Sequence, residues 1–330
     1  MKTISSYLLI SLALLGAVAC TNSEFKKTKS GLQYKIYSDG KGDPAKKGQF
    51  LKMNLLEKLR DSTLNTTYGG FPFYLPVDSP RPIYSPIEIF SLLRKGDSAV
   101  VILLADSLQS KSHGQLPPFM RKKDKLIFSF KVLDIFTSQD LLMTDRNQEL
   151  AKEKDREVKA MEKYLADSNI TAEKTEKGTY VVVKSPGDGV QADSGKQVSV
   201  RYTGRFFPSG KVFESNMSGP GNEPLKFVVA SHQIIPGWDD GIRKFKKGGK
   251  GTLYIPGFMA YDQQPGPGHK PFESLIFDIE IVDVTDAPPP SAQQPRMQMP
   301  MRPGQMPMRP GQMPVRPGQQ QVQPQQQPHK

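Results

Sequence analysis

The chain has 330 residues, a formal net charge of +12 and one cysteine. A single cysteine excludes a disulfide framework and any metal site built from several thiolates. The four histidines are too scattered for a metal cluster, so neither a metal nor another cofactor is predicted.

The first residues are typical of an exported protein. Lys2 precedes an apolar run, Leu8–Ala19, which is too short to be a permanent membrane span. Small residues lead directly into Cys20, as in a bacterial lipobox, although Ala17 stands where leucine is usual. We predict a lipoprotein signal over residues 1–19, a lipid on Cys20 and a tether over 20–28. The alternative is an ordinary cleaved signal with an incidental cysteine.

Export and a lipid would place the protein in the cell envelope, and Thr21, directly after Cys20, is not an acidic retention signal, which favours the periplasmic face of the outer membrane. An exported protein is not expected to bind nucleic acid, although its net charge is positive. About 265 residues remain between the two ends of the chain, enough for two domains of ordinary size.

Two stretches of the chain resemble each other. "KSGLQYKIYSDGKGDPAKKGQFLKMNLL" (29–56) parallels "EKGTYVVVKSPGDGVQADSGKQVSVRYT" (176–203), and "LLRKGDSAVVILLA" parallels "KFKKGGKGTLYIPG". Both copies end in an alternating run, at 125–136 and 274–285, typical of an antiparallel strand with one wet face. We infer an internal duplication into domains at 29–137 and 169–286, each mostly β with one short helix.

The segment between the copies, 138–168, is predicted to be a helical linker. Gln139–Asp167 contains no glycine or proline and is rich in Ala, Glu, Lys and Leu. A narrow apolar stripe recurs at helical spacing, through Leu150, Val158, Met161 and Leu165. The pattern favours a partly exposed helix joining two domains, and a dimerisation helix is the alternative.

The only tryptophan lies in "IIPGWDDGIRKF" (234–245). Pro236 suits the first turn of a helix, and the paired Asp239 and Asp240 suit the positive end of its dipole. Trp238, Ile242 and Phe245 are spaced to share one apolar face of that helix. We expect Phe245, like Leu253, to be ordinary core, and Trp238 to form the floor of a cleft.

The tail, residues 287–330, is not predicted to be globular. It contains three copies of a seven-residue unit, Met299–Gln319, with two prolines in each, so a coiled coil is excluded. We expect an extended, disordered segment. It carries five basic residues and no acid, so either it is a plain spacer or it contacts an anionic lipid, lipopolysaccharide or wall surface.

The second copy resembles an FKBP-type peptidyl-prolyl cis-trans isomerase. The likeness rests on "VSVRYTGRFFPSGKVFESN", "EPLKFVVASHQIIPGWDDGIRKFKKGGKGTLYIPGFMAY" and "SLIFDIEIVDV", which cover roughly Glu173–Thr285. With the lipobox, the charged helix and the first copy, the chain resembles double-domain FKBP lipoproteins of Bacteroidetes-type bacteria. The resemblance implies an α+β fold of two antiparallel half-barrels, each wrapped on a short helix.

The resemblance also implies the site. Its catalytic residues would be Tyr202, Phe213, Glu214, Trp238, Tyr261 and Phe277, and its substrate-binding residues would be Leu225, Phe227, Ile234 and Ile235. The Ile235 N–H and the Tyr261 hydroxyl would hold substrate carbonyls. Glu214 stands where the family usually has aspartate, Leu225 replaces a frequent aromatic residue, and His269 and Lys270 lie where apolar residues are common.

The implied activity is rotation about X–Pro bonds of exported polypeptides, with macrolide-type compounds as expected inhibitors. The alternative is a tethered chaperone or scaffold with little isomerase activity, and a third is a component of a larger envelope assembly. In the first copy Trp238 aligns near Pro86, Phe213 near Leu64 and Tyr202 with an aliphatic residue, so its pocket should be lost. That copy would bind clients, dock to an envelope protein, self-associate or act as a spacer.

Overall fold

The structure is a computed structural model, and it describes residues 24–79, 81–112, 116–217, 219, 222–264 and 269–289. The chain divides into two units, Met1–Thr171 with Pro256–Leu275, and Ala172–Ile255 with Ile276–Lys330. The predicted signal, Cys20 and the repeats of the tail lie outside the described residues. No described helix has the length and apolar character needed to span a membrane.

The first unit is built on an antiparallel sheet of seven strands. In chain order these are β1 (Lys26–Lys27), β2 (Gln33–Tyr37), β3 (Phe50–Leu59), β4 (Ser62–Thr66), β5 (Phe73–Pro76), β6 (Ser98–Leu104) and β7 (Lys125–Phe136). They lie in the order β1-β2-β6-β7-β3-β4, and β5 pairs with the start of β3. The inward side chains of β3, β6 and β7 form a core that includes Leu51, Met53, Val101 and Val132.

Helical segments of the first unit are a 3-10 helix (Pro86–Leu92), α1 (Ala105–Ser112), α2 (Gln139–Asp167) and a 3-10 helix (Gly257–Met259). The 3-10 helix at Pro86 starts with a capping box, in which Ser85 and Glu88 satisfy each other's backbone donors, and it buries Ile89 and Phe90. The sequence predicted one short helix in this copy. That was wrong, because α1 follows β6 directly as a second helix.

The second unit repeats the same design. Its elements are β8 (Glu173–Lys174), β9 (Tyr180–Ser185), β10 (Lys196–Phe206), β11 (Val212–Ser215), β12 (Leu225–Val228), α3 (Pro236–Gly241), a 3-10 helix (Ile242–Lys244), β13 (Lys250–Ile255) and β14 (Leu275–Asp286). The strand order is β8-β9-β13-β14-β10-β11, with β12 beside β10. Strand for strand, this is the order of the first sheet.

Matching hydrogen bonds confirm the inferred duplication at the level of topology. Ala45 N–H donates to the carbonyl of Leu93, and Ala192 N–H donates to that of Phe245. In the same way Gly96 donates to Val132, and Gly248 to Ile281. The α+β class with two antiparallel sheets is therefore confirmed, and each strand in one sheet has a counterpart in the other.

The linker helix has the predicted bounds, Gln139–Asp167, and begins at the N-cap Ser138. Its buried residues are Glu153, Glu157, Met161 and Leu165, four positions spaced by one turn. The predicted stripe is confirmed for Met161 and Leu165, which are 0% and 6% exposed. The two glutamates on the same face were not expected there.

Candidate functional site

Helix α3 begins where the sequence predicted. Ile235 is its N-cap, with extended backbone, and its carbonyl accepts a hydrogen bond from the Trp238 N–H at 3.0 Å. Pro236 follows at the first helical position, where a missing N–H leaves no donor unsatisfied. A Cβ at Gly237 would come within 2.3 Å of the Ile255 side chain, so glycine here lets α3 lie directly against β13.

The helix is shorter than the sequence pattern implied. It ends at Gly241 and continues as a 3-10 turn to Lys244, after which Phe245 has extended backbone with φ −123°. The expectation that Phe245 shares a helical face with Trp238 was therefore wrong. Trp238, Ile242 and Phe245 are nevertheless all buried, so the expected core role of Phe245 is confirmed, as it is for Leu253.

Trp238 is the centre of an aromatic cluster in the second unit. Its ring centroid lies 5.1 Å from Phe277, 5.2 Å from Tyr202 and 5.8 Å from Phe227. The interplanar angles, between 69° and 88°, are those of edge-to-face pairs, in which positive ring edges meet the negative π-face. Four of the predicted site residues are thus brought together.

Phe213 forms the accessible rim of this cluster. Its ring packs edge-on against Phe277 at 5.8 Å and is 36% exposed, whereas the Trp238 indole is 1% exposed. Gly204 allows that contact, because a Cβ there would lie 2.6 Å from Phe213 and 2.9 Å from Phe277. The cluster therefore has a dry base and an open edge of apolar ring surface.

Three polar side chains hold the elements that carry the cluster. Asn216 accepts a hydrogen bond from the Tyr202 N–H at 2.6 Å and donates to the carbonyls of Val200 and Glu223, which ties the middle of β10 to the segment before β12. Asp240 accepts from the Thr175 hydroxyl and so ties α3 to the turn between β8 and β9. Asp239 accepts from the Ala230 N–H at 2.8 Å.

Asp239, predicted to lie near the positive end of the helix dipole, is a buried residue of α3. Burial raises the pKa of its carboxyl, while the N–H groups of Ala230 and His232 oppose that rise. Among the described residues its Oδ2 has no hydrogen-bond partner. Both Ala230 and His232 have positive φ, so Asp239 stabilises an unusual turn just before Ile234 and Ile235.

The remaining predicted residues lie around this cluster or outside it. Leu225, Ile234 and Ile235 are half-buried, and Glu214 is exposed on β11. No described residue accepts a hydrogen bond from the Ile235 N–H. Tyr261 belongs to the first unit, where its ring stacks on the imidazole of His269 with centroids 3.9 Å apart.

In the part of the chain that the structure describes, no group of three or more His, Cys, Asp or Glu residues could hold a metal ion.

Gly204, Asn216 and the burial of Asp239 were missed by sequence reasoning. Gly204 ends the "RYTG" motif and Asn216 ends "FESN", so both were visible as members of the family pattern. Their roles depend on contacts between strands or with the neighbouring loop, which spacing along one strand does not reveal.

Only one of the positions that carry rings in this cluster is occupied by an aromatic residue in the first unit. Leu93 corresponds to Phe245, and Pro86 begins its 3-10 helix as Pro236 begins α3, so the position of Trp238 falls within 86–88, which holds no aromatic residue. Leu55 donates its N–H to Thr67 as Tyr202 donates to Asn216, so Leu55 stands in place of Tyr202. By the same correspondence the remaining positions are occupied by Leu64, Leu75 and Phe128.

Comparisons with known proteins match the chain to one family. A family model described as FKBP-type peptidyl-prolyl cis-trans isomerase matches residues 189–282. The probable FKBP-type peptidyl-prolyl cis-trans isomerase FkpA of Neisseria meningitidis is 30% identical over 193 residues, which cover 52% of this chain and 69% of that protein. An FK506-binding protein of Streptomyces anulatus is 39% identical over 100 residues, covering 30% of this chain and 79% of that protein.

A crystal structure of FkpA from Escherichia coli matches with 30% sequence identity and a TM-score of 0.36. The match covers 46% of this chain and 69% of that one.

Proposed function

The chain belongs to the FKBP-type peptidyl-prolyl cis-trans isomerase family and is an enzyme of that class, and we propose that it isomerises X–Pro bonds of exported polypeptides in the cell envelope. The supporting observation is the aromatic cluster around Trp238, which has an open edge at Phe213 in the second unit only.

The chemistry requires an apolar surface and no reactive group. Rotation about an X–Pro bond faces a barrier of about 18–20 kcal/mol, but no covalent bond is made or broken. The twisted amide has lost its resonance and is less dipolar than the planar form, so a dry pocket disfavours the ground state more than the transition state. Rings that exclude water therefore lower the barrier.

The roles of single residues follow from the family pattern and remain proposals. The proline ring would rest on Trp238, with Phe213, Phe227 and Phe277 around it. The Ile235 N–H would donate to one substrate carbonyl and the Tyr261 hydroxyl to another, while Tyr202 and Glu214 would polarise one wall. Leu225 and Ile234 would extend the apolar surface, and macrolide-type inhibitors would occupy the same place.

The location is proposed from the N-terminal sequence, with Cys20 carrying the lipid that holds the protein on the membrane. The first unit, whose equivalent positions lack the ring cluster, would contribute client binding or spacing and no isomerase activity. The aliphatic residues at most of its equivalent positions favour this over a second active site.

Isomerisation of a prolyl tetrapeptide by the full chain tests the proposal. We expect Phe213→Ala to lower kcat/KM by at least about tenfold, because it removes ring surface that contacts the proline. Leu64→Ala is the matched control, since Leu64 has the equivalent position in the first sheet and is 37% exposed, against 36% for Phe213. Undiminished catalysis by Phe213→Ala would contradict the site, and an inactive wild-type protein would contradict the function.

A further inference from the structure

Two neighbouring grooves lie at the edge of the first sheet, where β1 pairs with β2. Both are lined by Tyr34, Ser91 and Leu92, so they adjoin each other and form one continuous surface around the Leu92 side chain. Six cationic residues line the two grooves, and we call this set the basic surface: Lys26, Lys27, Lys29, Lys35, Arg81 and Arg94.

The charge of the basic surface is not neutralised within the described part of the chain. None of its six cations forms an ion pair with a described residue. Two acids line the same grooves, but Glu88 is 7% exposed and accepts hydrogen bonds from the Ser30 hydroxyl and the Ser85 N–H. The six cations are therefore accompanied by a single exposed carboxylate, that of Glu24.

Exposed apolar side chains accompany these cations. Leu92, the last residue of the 3-10 helix, is 43% exposed between the two grooves. Phe25, directly before Lys26 in the chain, is also 43% exposed. Cations beside exposed apolar side chains suit a membrane interface, where the cations meet lipid phosphates and the apolar groups enter the boundary between headgroups and acyl chains.

The second unit offers a comparison, because the same turn precedes its sheet. The Gly31 N–H donates to the Thr28 carbonyl at 2.9 Å, and the Gly178 N–H donates to the Thr175 carbonyl at 3.2 Å. Both glycines have positive φ. Residues at equal distances from these two turns therefore correspond, as do those next to the matched pair Leu93 and Phe245.

Three positions of this surface differ in charge between the units: Lys26, Lys29 and Leu92 correspond to Glu173, Glu176 and Lys244. In the second unit the Lys244 ammonium group lies 2.5 Å from the Glu173 carboxylate, so the two charges neutralise each other. In the first unit the same two positions hold an exposed leucine and a lysine that has no acidic partner among the described residues. The sheet therefore forms without these cations, and their presence in the first unit needs another reason.

The basic surface is close along the chain to the proposed lipid. Cys20 lies four residues before Glu24, the first described residue, and β1 begins at Lys26. An extended chain spans at most about 3.6 Å per residue, so the Cys20 backbone lies within about 15 Å of Glu24. A lipid on Cys20 would hold this edge of the first sheet next to the bilayer, whatever path the intervening residues take.

We propose that the basic surface docks on anionic phospholipids of the membrane that holds the lipid of Cys20. Its ammonium and guanidinium groups bind lipid phosphates, while Phe25 and Leu92 enter the boundary between headgroups and acyl chains. The inference rests on the proposed location, in which Cys20 is lipidated. Stable anchoring takes two signals, so the surface alone does not hold a chain without the lipid.

Lysine footprinting of the full lipidated chain tests the docking. The protein is incorporated into vesicles of phosphatidylcholine, alone or mixed with phosphatidylglycerol, and is then acetylated and analysed by mass spectrometry. We expect the four lysines of the basic surface to react at least about threefold more slowly in the anionic vesicles, and high salt to remove this difference. Lys122 and Lys125, exposed lysines of the same unit outside the surface, are internal controls and should react equally in both vesicles.

Lys26→Glu combined with Lys29→Glu places on the surface the residues that the second unit has at these positions, so the sheet should still fold. We expect the remaining lysines of the basic surface to lose their protection in this variant. Lys122→Glu combined with Lys125→Glu makes the same change in net charge and is the matched control. It should leave the protection within about twofold of wild type.

Equal reactivity of the basic surface in both kinds of vesicle would overturn the inference and leave the proposed location intact. Equal loss of protection in the two double variants would also overturn it, since net charge alone would then explain the binding. A protein that enters neither kind of vesicle would overturn the proposed location and the inference together. Isomerisation of a prolyl tetrapeptide is a separate measurement, and its absence in the wild type would overturn only the proposed activity.

Discussion

At the scale of single residues, the packing of the ring cluster depends on Gly204, which has no side chain, as much as on the rings themselves. Trp238, Tyr202, Phe227 and Phe277 were all predictable from the family pattern, and the structure packs them edge to face. Gly204 was not predictable as a packing residue, because its neighbours Phe213 and Phe277 come from other strands. Hydrogen bonding by Asn216 was hidden for the same reason.

Gly204→Ala tests whether the packing of Phe213 against Phe277 depends on a glycine at this position. The added Cβ would lie 2.6 Å from the Phe213 ring, closer than any normal contact, so the ring must move away from Phe277. We expect a loss of about 1–3 kcal/mol in the free energy of unfolding, with a fall in kcat/KM of about tenfold. Chemical denaturation and the isomerase assay measure the two effects.

Gly70→Ala serves as the control for that substitution. A Cβ at Gly70 would meet only the Thr67 carbonyl, at 3.8 Å, which is an ordinary van der Waals distance. Both quantities should remain at their wild-type values in this variant. Equal activity for Gly204→Ala and Gly70→Ala would show that the contact of Phe213 with Phe277 does not matter for catalysis.

At the scale of elements, helix α2 shows what periodicity can and cannot reveal. Composition and spacing predicted its bounds and the burial of Met161 and Leu165. They did not predict that Glu153 and Glu157 share that buried face, because the partner of Glu157 lies at Phe258, about a hundred residues further along the chain. Periodicity therefore did not indicate that a charged residue of this helix is an internal hydrogen-bond acceptor.

The burial of Glu157 predicts a pH-dependent stability. Burial raises the pKa of Glu157 to about 7, the Phe258 N–H opposes the rise, and the charges of Glu153 and Asp262 add to it. A carboxyl whose pKa is higher in the folded state favours folding below its unfolded pKa, and that contribution is lost as pH rises to about 7. The loss amounts to about 3 kcal/mol between about pH 4.5 and 7.

Glu157→Gln cannot titrate and isolates this contribution. The difference in the free energy of unfolding between wild type and Glu157→Gln, measured by urea denaturation across this pH range, should shift against the wild type as pH rises. Parallel curves for the two proteins would mean that Glu157 does not titrate in the folded state above its ordinary range.

At the scale of the whole molecule, two sheets of identical strand order have diverged in one set of positions. Repeated sequence patterns were enough to predict the duplication and the loss of Trp238 and Phe213 equivalents from the first copy. The grouping of Pro256–Leu275 with the first unit was not predictable, since it depends on contacts with α2 that have no local sequence signal. The two sheets thus share their strand order but differ in the side chains at the positions of the ring cluster.

The proposed anchor makes a prediction for the molecule in its cell. After expression in a bacterium that processes lipoproteins, the wild-type protein should fractionate with membranes, and Cys20→Ser should appear in the soluble fraction because it offers no thiol for the lipid. Immunoblots of the two fractions measure the distribution. Membrane association of Cys20→Ser at the wild-type level would exclude lipidation of Cys20 as the anchor.

The most direct test of the central claim uses the emission of Trp238, the only tryptophan in the chain. If the ring cluster of the second unit is the isomerase site, adding a prolyl tetrapeptide should change this emission in a saturable way, with half-saturation close to the KM for isomerisation. Phe213→Ala should weaken that response, and Leu64→Ala should leave it unchanged. Measurable catalysis with no change in Trp238 emission at saturating peptide would contradict the account.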